Sequence, residues 1–264
     1  MRLRRAVVGL LALAVLYAVA AQIGHGRLPD RIWMGAHYID NIQLLPTVGS
    51  LAEEGKFLIE SDILLDSIVV SVRRVVLGLL IGTLAGVALG LATGWRTRLE
   101  HLADPWLTFF RFTPALALLP LYAIWFGYGE TSKVLLIATS VAVVTLLGAH
   151  QGVRDVPRVY LDAASSLGAR GWLVFRKIVL PAAMPRILDS LRVAVGLAWV
   201  TIVVAELIDA KMPSLGYLLA LSGAYPRVPQ MLIAIATVGL LVLLFDLATL
   251  ALHARLTRWM RRAA

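Results

Sequence analysis

Residues 75–94 form a run of twenty residues without one charged side chain. As a helix rising about 1.5 Å per residue, such a run matches the roughly 30 Å hydrocarbon core of a bilayer. Comparable apolar stretches recur at residues 6–22, 106–126, 134–150, 188–208 and 231–253. In lipid every backbone group must be satisfied within the segment, so six such stretches predict an all-α integral membrane protein with six transmembrane helices. The chain of 264 residues is 59% hydrophobic and 16% charged, with a mean hydropathy of +0.82. Soluble domains run at about 45–50% apolar and about 25% charged. A soluble globular enzyme is excluded, and so is a disordered chain. The absence of Cys excludes disulfides, thiolate zinc sites and iron–sulfur clusters.

Lys and Arg set the orientation, because short cytoplasmic loops are enriched in them. With the N-terminus inside, sixteen of the 25 basic residues fall in inner segments, among them Arg2, Arg4, Arg5, Arg154, Arg158, Arg170, Arg176 and Lys177. Eight fall in outer segments, including Arg73 and Arg74, and Arg111 stands inside the third span. The bias predicts both termini in the cytoplasm. The net charge of +9 is then a property of membrane loops. No basic stretch interleaves with aromatics as a nucleic-acid groove would require.

The first apolar stretch has two readings. Arg2, Arg4 and Arg5 ahead of it, with Ala18-Val19-Ala20 near its end, suit a cleaved signal peptide. Five further spans favour a retained anchor. The expected organisation is an N-terminal helix at 1–23, an acidic amphipathic connector outside at 24–74, and a core of five spans at 75–253. That core includes a cytoplasmic loop at 151–187, and a basic tail follows at 254–264. The connector either covers the bundle or docks an external partner.

Several constellations lie within the spans. Gly78, Gly82, Gly86, Gly90 and Gly94 recur every fourth residue and form one ridge, which lets another helix approach closely. The partner is another helix of the same subunit, a second copy, or a moving gate. Pro114 and Pro120 interrupt the third span, and Arg111 precedes the first of them by one turn. Broken helices often line transport paths, and an intramembrane Arg is by default functional. Glu206 and Asp246 are acids within the fifth and sixth spans, available to pair with Arg111 or to act on a path. The five histidines show no metal-ligand spacing, and no HExxH, GxSxG or P-loop occurs. A nucleotide driving transport would therefore sit on another subunit.

The inner loop is the most organised hydrophilic stretch. The residues Val159 to Trp172 and Phe175 to Pro181 read as a short helix, a glycine stop with Gly168 as C-cap, a second helix and a break at Pro181. Ala163 and Ala164 offer a flat patch to another protein. This loop resembles the EAA motif of ATP-binding-cassette importer permeases, of pattern E-A-A-x3-G-x9-I-x-L-P. Asp162, Ala163, Ala164, Gly168, Ile178, Leu180 and Pro181 match every spacing, with Asp in place of Glu. Pro114-Ala115, Leu119-Pro120-Leu121, the run from Trp125 to Lys133, Ala205-Glu206 and Leu215 to Leu218 are similar to the nitrate, sulfonate, taurine and bicarbonate branch.

The resemblance implies a type I importer permease fold (MetI-like), multi-pass in a bacterial inner membrane, with a coupling helix between the fourth and fifth spans. It further implies a second permease copy as a homodimer, two copies of a cytoplasmic ATPase carrying ATP and Mg, and an extracytoplasmic solute-binding protein. This chain itself would hold no cofactor and do no covalent chemistry. Asp162 to Gly168 would seat in the ATPase, and Ile178, Leu180 and Pro181 would brace that helix. Arg111, Pro114, Pro120 and Glu206 would line or gate the path for a small anion such as a sulfonate or nitrate. Aromatic acids, pyrimidine precursors and vitamins are other solutes of the branch. An ion-coupled secondary transporter using Arg111, Glu206 and Asp246 is the main rival, and a membrane-embedded enzyme is a third reading that lacks a nucleophile–base pair.

Overall fold

The computed structural model describes residues 31–34, 37–40, 46–209, 213–224 and 227–258. The expected first span and the end of the basic tail lie outside the described residues. In chain order the elements are β1 (Arg31–Met34), β2 (His37–Asp40), α1 (Val48–Glu60), α2 (Ile63–Trp95) and α3 (Thr97–Phe112). A 3-10 turn (Ala115–Leu118), α4 (Leu119–Phe126), α5 (Glu130–Arg154), α6 (Arg158–Ser166), α7 (Trp172–Ile208), α8 (Leu215–Ala224) and α9 (Val228–Leu256) follow. The chain forms two compact units, residues 1–68 with 210–237 and residues 69–209 with 238–264.

The first unit holds an antiparallel hairpin in which Arg31 pairs with Asp40 and Met34 with His37. Among the described elements this short hairpin is the one exception to the expected all-α fold. Ile32-Trp33 and Tyr38-Ile39 are β-branched and aromatic residues that suit a pleated pair. The Thr47 hydroxyl accepts the Ser50 amide at 3.2 Å and caps α1. Asp62 then takes φ 58°, a left-handed conformation that Asp adopts more readily than most residues. The amphipathic connector expected at 24–74 is thereby split after α1, and its last residues open α2.

In the second unit the glycine ridge sets the helix arrangement. A Cβ built on Gly78, Gly82, Gly86, Gly90 or Gly94 would fall within 3.0 Å of Ile137, Ala138, Ala142, Leu146 or Val153, respectively. Both numbers rise together, so α2 and α5 run parallel with their backbones nearly touching. All five glycines are buried within this chain, which assigns the ridge to packing inside the subunit rather than to a second copy. By contrast α5 and α7 run antiparallel. Their contacts pass from Lys133 with Asp209, through Ser140 with Thr201, to Gly152 with Ala183.

Parallel α2 and α5 require the chain to recross between them. The third span does so as a bent pair, Asp104–Phe112 and Ala115–Phe126, whose axes meet at 92°. The break falls at Thr113 and Pro114, both extended at ψ 119° and 117°. Pro120 does not break anything: it lies in the first turn of α4, where a proline lacks no needed donor. Among the described residues, α2, α5, α7 and α9 are long and apolar enough to cross a membrane unaided.

Two expected boundaries move. The second span begins at Ile63, not residue 75, so Arg73 and Arg74 belong to a helix and not to a loop. The fifth span begins at Trp172, because Pro181 fails to end the preceding helix. A π-helical stretch, Phe175–Val179, widens the coil, and the α-helical ladder restarts at Leu180. Pro181 thus becomes a first-turn proline and is tolerated.

Candidate functional site

Three places in the second unit carry polar or exposed apolar groups that packing alone does not demand. The first is the hairpin between α5 and α7. Ala169 donates to the Ala164 carbonyl at 2.9 Å and Gly168 to the Ser165 carbonyl at 3.0 Å, closing α6 with a Schellman pair. Gly168 has φ 79°, and no heavy atom lies within 4 Å of where its Cβ would be. Its constraint is therefore conformational and not one of space. The Ser165 and Ser166 hydroxyls donate back to the Asp162 carbonyl at 2.8 and 3.0 Å, which tightens the last turn.

The flat Ala163–Ala164 patch is corrected by the structure. Ala164 is 4% exposed and turns into a cluster with Ala149, Val153, Val156, Val174, Phe175 and Val179. Ile178 and Ala182 pack on the same cluster, as do Val87 and Leu91 of α2. Leu180 and Pro181 are half-buried. Asp162 and Ala163 face outward. So do Val159, Tyr160 and Leu167, the last 87% exposed. Val159, Ala163 and Leu167 follow a four-residue step, so one side of the hairpin is an apolar stripe while the other is anchored. That spacing was available in the sequence and marks the presented face better than the alanine pair does.

The second place is the break between α3 and α4. A cavity of about 220 Å³ opens there, lined by Arg111, Thr113, Pro114, Thr139 and Ser140 among apolar neighbours. The Tyr122 and Thr139 hydroxyls meet at 2.6 Å, and Thr201 donates to Ser140 at 3.3 Å. Among the described residues no carboxylate lies within ion-pair distance of Arg111. The pairing expected for it is corrected: Glu206 and Asp246 are engaged elsewhere. Pro120 is exposed, and Glu206 does not line this cavity.

The third place is at the opposite end of the bundle from the hairpin. Arg74, 5% exposed, inserts between two acids. Its Nη1 donates to Glu206 at 2.7 Å and its Nε to Glu130 at 2.9 Å, and Nη2 also contacts Glu130. Glu206 is fully buried and accepts the Ser71 hydroxyl at 2.9 Å on both oxygens. One turn along both partner helices, Lys133 meets the Asp209 carboxylate at 2.9 Å. These pairs tie α2, α5 and α7 together where the apolar glycine seam ends. Asp246 of α9 meets Arg192 of α7, with Nη2 to Oδ2 at 2.7 Å.

The chain matches the family described as "binding-protein-dependent transport system inner membrane component" over residues 78–262. It is 38% identical over 189 residues to the taurine transport system permease protein TauC of Escherichia coli (strain K12), covering 72% of this chain and 68% of that protein. A probable ABC transporter permease protein of Brucella abortus (strain 2308) is 34% identical over 83% of this chain and 88% of its own length. A putative aliphatic sulfonates transport permease protein, SsuC of Bacillus subtilis (strain 168), is 31% identical over 86% of this chain and 83% of its own length. Among solved structures, an inward-facing MetNI methionine ABC transporter chain superposes with a TM-score of 0.63 at 16% identity, covering 74% of this chain and 96% of that one.

Proposed function

The chain belongs to the binding-protein-dependent transport system inner membrane components, the permeases of ABC importers, and from that premise we propose how it works. These relatives are transport proteins and not enzymes. In the proposed reading two copies of the chain form the solute path at their interface in a bacterial inner membrane, with both termini cytoplasmic. A cytoplasmic ATPase, two copies carrying ATP and Mg, docks on the α6 hairpin, and an extracytoplasmic binding protein delivers solute at the opposite end.

One observation carries the coupling part. The hairpin presents Val159, Ala163 and Leu167 outward while Ala164 sits in a cluster shared with α2, α5 and α7. A partner gripping the outer stripe therefore pulls directly on three spans. Asp162, Ala163 and Gly168 belong to the gripped segment. Ile178, Leu180 and Pro181 lie beyond the Gly168–Gly171 turn, in the α7 segment that packs on the same cluster. Closure of the ATPase dimer draws the two hairpins together, the helix blocks rock, and the path opens outward. Hydrolysis resets it.

The solute is proposed to be a small molecule bearing an anionic oxo group. TauC and SsuC are named for taurine and aliphatic sulfonates, and a similar protein of Synechococcus elongatus for bicarbonate. Arg111 supports this, because it lines the cavity at the helix break without a carboxylate partner among the described residues. Pro114 keeps that break open.

The test is recovery of the ATPase with tagged permease in mild detergent. Leu167→Glu puts a charge on the most exposed large residue of the stripe, where it disturbs no buried contact. Loss of the ATPase with normal membrane insertion is expected. Undiminished recovery and transport would remove α6 as the docking element.

A further inference from the structure

Beside the hairpin, at the same end of the second unit, lies a groove of about 570 Å³ that the transport reading leaves unused. Ala88, Leu91 and Ala92 of α2 form its wall, Trp95 and Arg96 its rim, and Trp172 and Phe175 its far side. The Trp172 ring stacks on Phe175 at 5.2 Å, and Trp95 leans on Phe175 at 5.3 Å. Trp172 nevertheless stays 70% exposed. The wall residues belong to the apolar stretch of α2, and the rim begins where that stretch ends. One end of the groove is therefore set at acyl-chain depth and the other at headgroup depth, where indole rings prefer to sit.

The charge at the headgroup end is one-sided. Arg96, Arg170, Arg176 and Lys177 are exposed in the two segments that frame the groove. Among the described residues none of the four takes part in an ion pair. The nearby acid of α3, Glu100, is held by Arg154 at 3.0 Å and leaves Arg96 uncompensated. Gly171, at φ 54°, and Trp172 line the groove, and exposed Arg170 immediately precedes them in the chain.

We propose that this groove is a binding site for an anionic phospholipid, its chain against Ala88, Leu91 and Ala92 and its phosphate against Arg96 and Arg170. Basic pockets between spans bind anionic headgroups, with each cationic side chain near the surface contributing about five-fold in affinity, the equivalent of about 1 kcal/mol. The site does not depend on the identity of the solute or on ATPase docking.

The experiment is native mass spectrometry of the full chain in mild detergent, incubated with phosphatidylglycerol, phosphatidylcholine or water-soluble glycerophosphoglycerol. Retention of phosphatidylglycerol over phosphatidylcholine is expected. Arg96→Gln should lower it about five-fold and the Arg96→Gln/Arg170→Gln pair roughly twenty-five-fold. Arg258→Gln, an equal charge loss away from the groove, should leave it unchanged. Equal retention of both lipids, or no effect of Arg96→Gln, would overturn the proposal. Competition by glycerophosphoglycerol at the same concentration as the lipid would reassign the groove to a soluble anion. If lipid is absent whenever the ATPase is bound and Arg96→Gln lowers ATPase recovery, the groove is a protein-docking surface instead. Lipid retention is read without the ATPase, so its failure leaves the coupling proposal standing.

Discussion

Replacing Arg74 with Met measures what the buried ion cluster contributes. The guanidinium is shared between Glu206 at 2.7 Å and Glu130 at 2.9 Å. The substitution removes the Arg74 guanidinium from the fully buried Glu206 carboxylate, and breaking a buried pair from one side costs about 3–5 kcal/mol. Glu206→Gln is milder. The amide keeps the shape, Arg74 keeps the half-exposed Glu130, and the loss is close to one charge-assisted hydrogen bond, about 1.5–3 kcal/mol. Arg74→Met combined with Glu206→Leu removes both charges and leaves apolar groups of similar volume. Such replacements are often neutral, so the double variant should recover to within about 2 kcal/mol of the parent. For a chain of this size about 1 kcal/mol moves the melting midpoint by about 2–4 °C, which puts Arg74→Met roughly 6–20 °C below the parent. Thermal unfolding in mild detergent, followed by loss of the monodisperse chromatographic peak, reads all three. A double variant as damaged as the sum of the single ones would refute the reasoning, as would Arg74→Met no worse than Glu206→Gln.

Gly86→Leu should abolish a monodisperse product, because even its Cβ would fall within 3.0 Å of Ala142 and Thr145; a stable, well-behaved variant would contradict the helix seam. Gly168→Val forces a β-branched residue to φ 79° at a cost of about 1–2 kcal/mol, so insertion should survive while the ATPase fails to co-purify. Arg111→Gln should lower uptake of labelled taurine or sulfonate at least ten-fold with complex recovery unchanged, and an unaltered uptake rate would take Arg111 off the path. A C-terminal reporter should be active in the cytoplasm, and an external signal would reverse the orientation derived from Lys and Arg.

Hydropathy located the crossing helices because each needs a long apolar window, and α2, α5, α7 and α9 all contain their expected stretch. It missed the ends of α2 and α7, since a window closes at the first charge. By hydropathy alone Arg74 therefore reads as a loop residue, although its charge is cancelled by acids far along the chain. No local pattern announces a partner more than fifty residues away. The glycine ridge was legible as a close-approach surface, but not the helix that meets it. In the hairpin the caps were legible, since Gly168 has one physical role. The direction of Ala164 was not, because alanine suits a buried seam and an exposed patch equally. The bend at Pro114 was legible as a break, yet its 92° angle depends on the parallel course of α2 and α5.

The unbroken course of α7 has a mechanical consequence. Its 37 residues make a rod of roughly 55 Å, running from Trp172 beside the hairpin to Glu206 at the ion cluster. A stiff rod of that length converts a tilt of about 10° at one end into a displacement of about 10 Å at the other. A jointed pair of helices would have dissipated that swing at the joint. The π-helical coil at Phe175–Val179 sits at the very foot of the rod, where a local loss of stiffness costs almost none of the lever's reach.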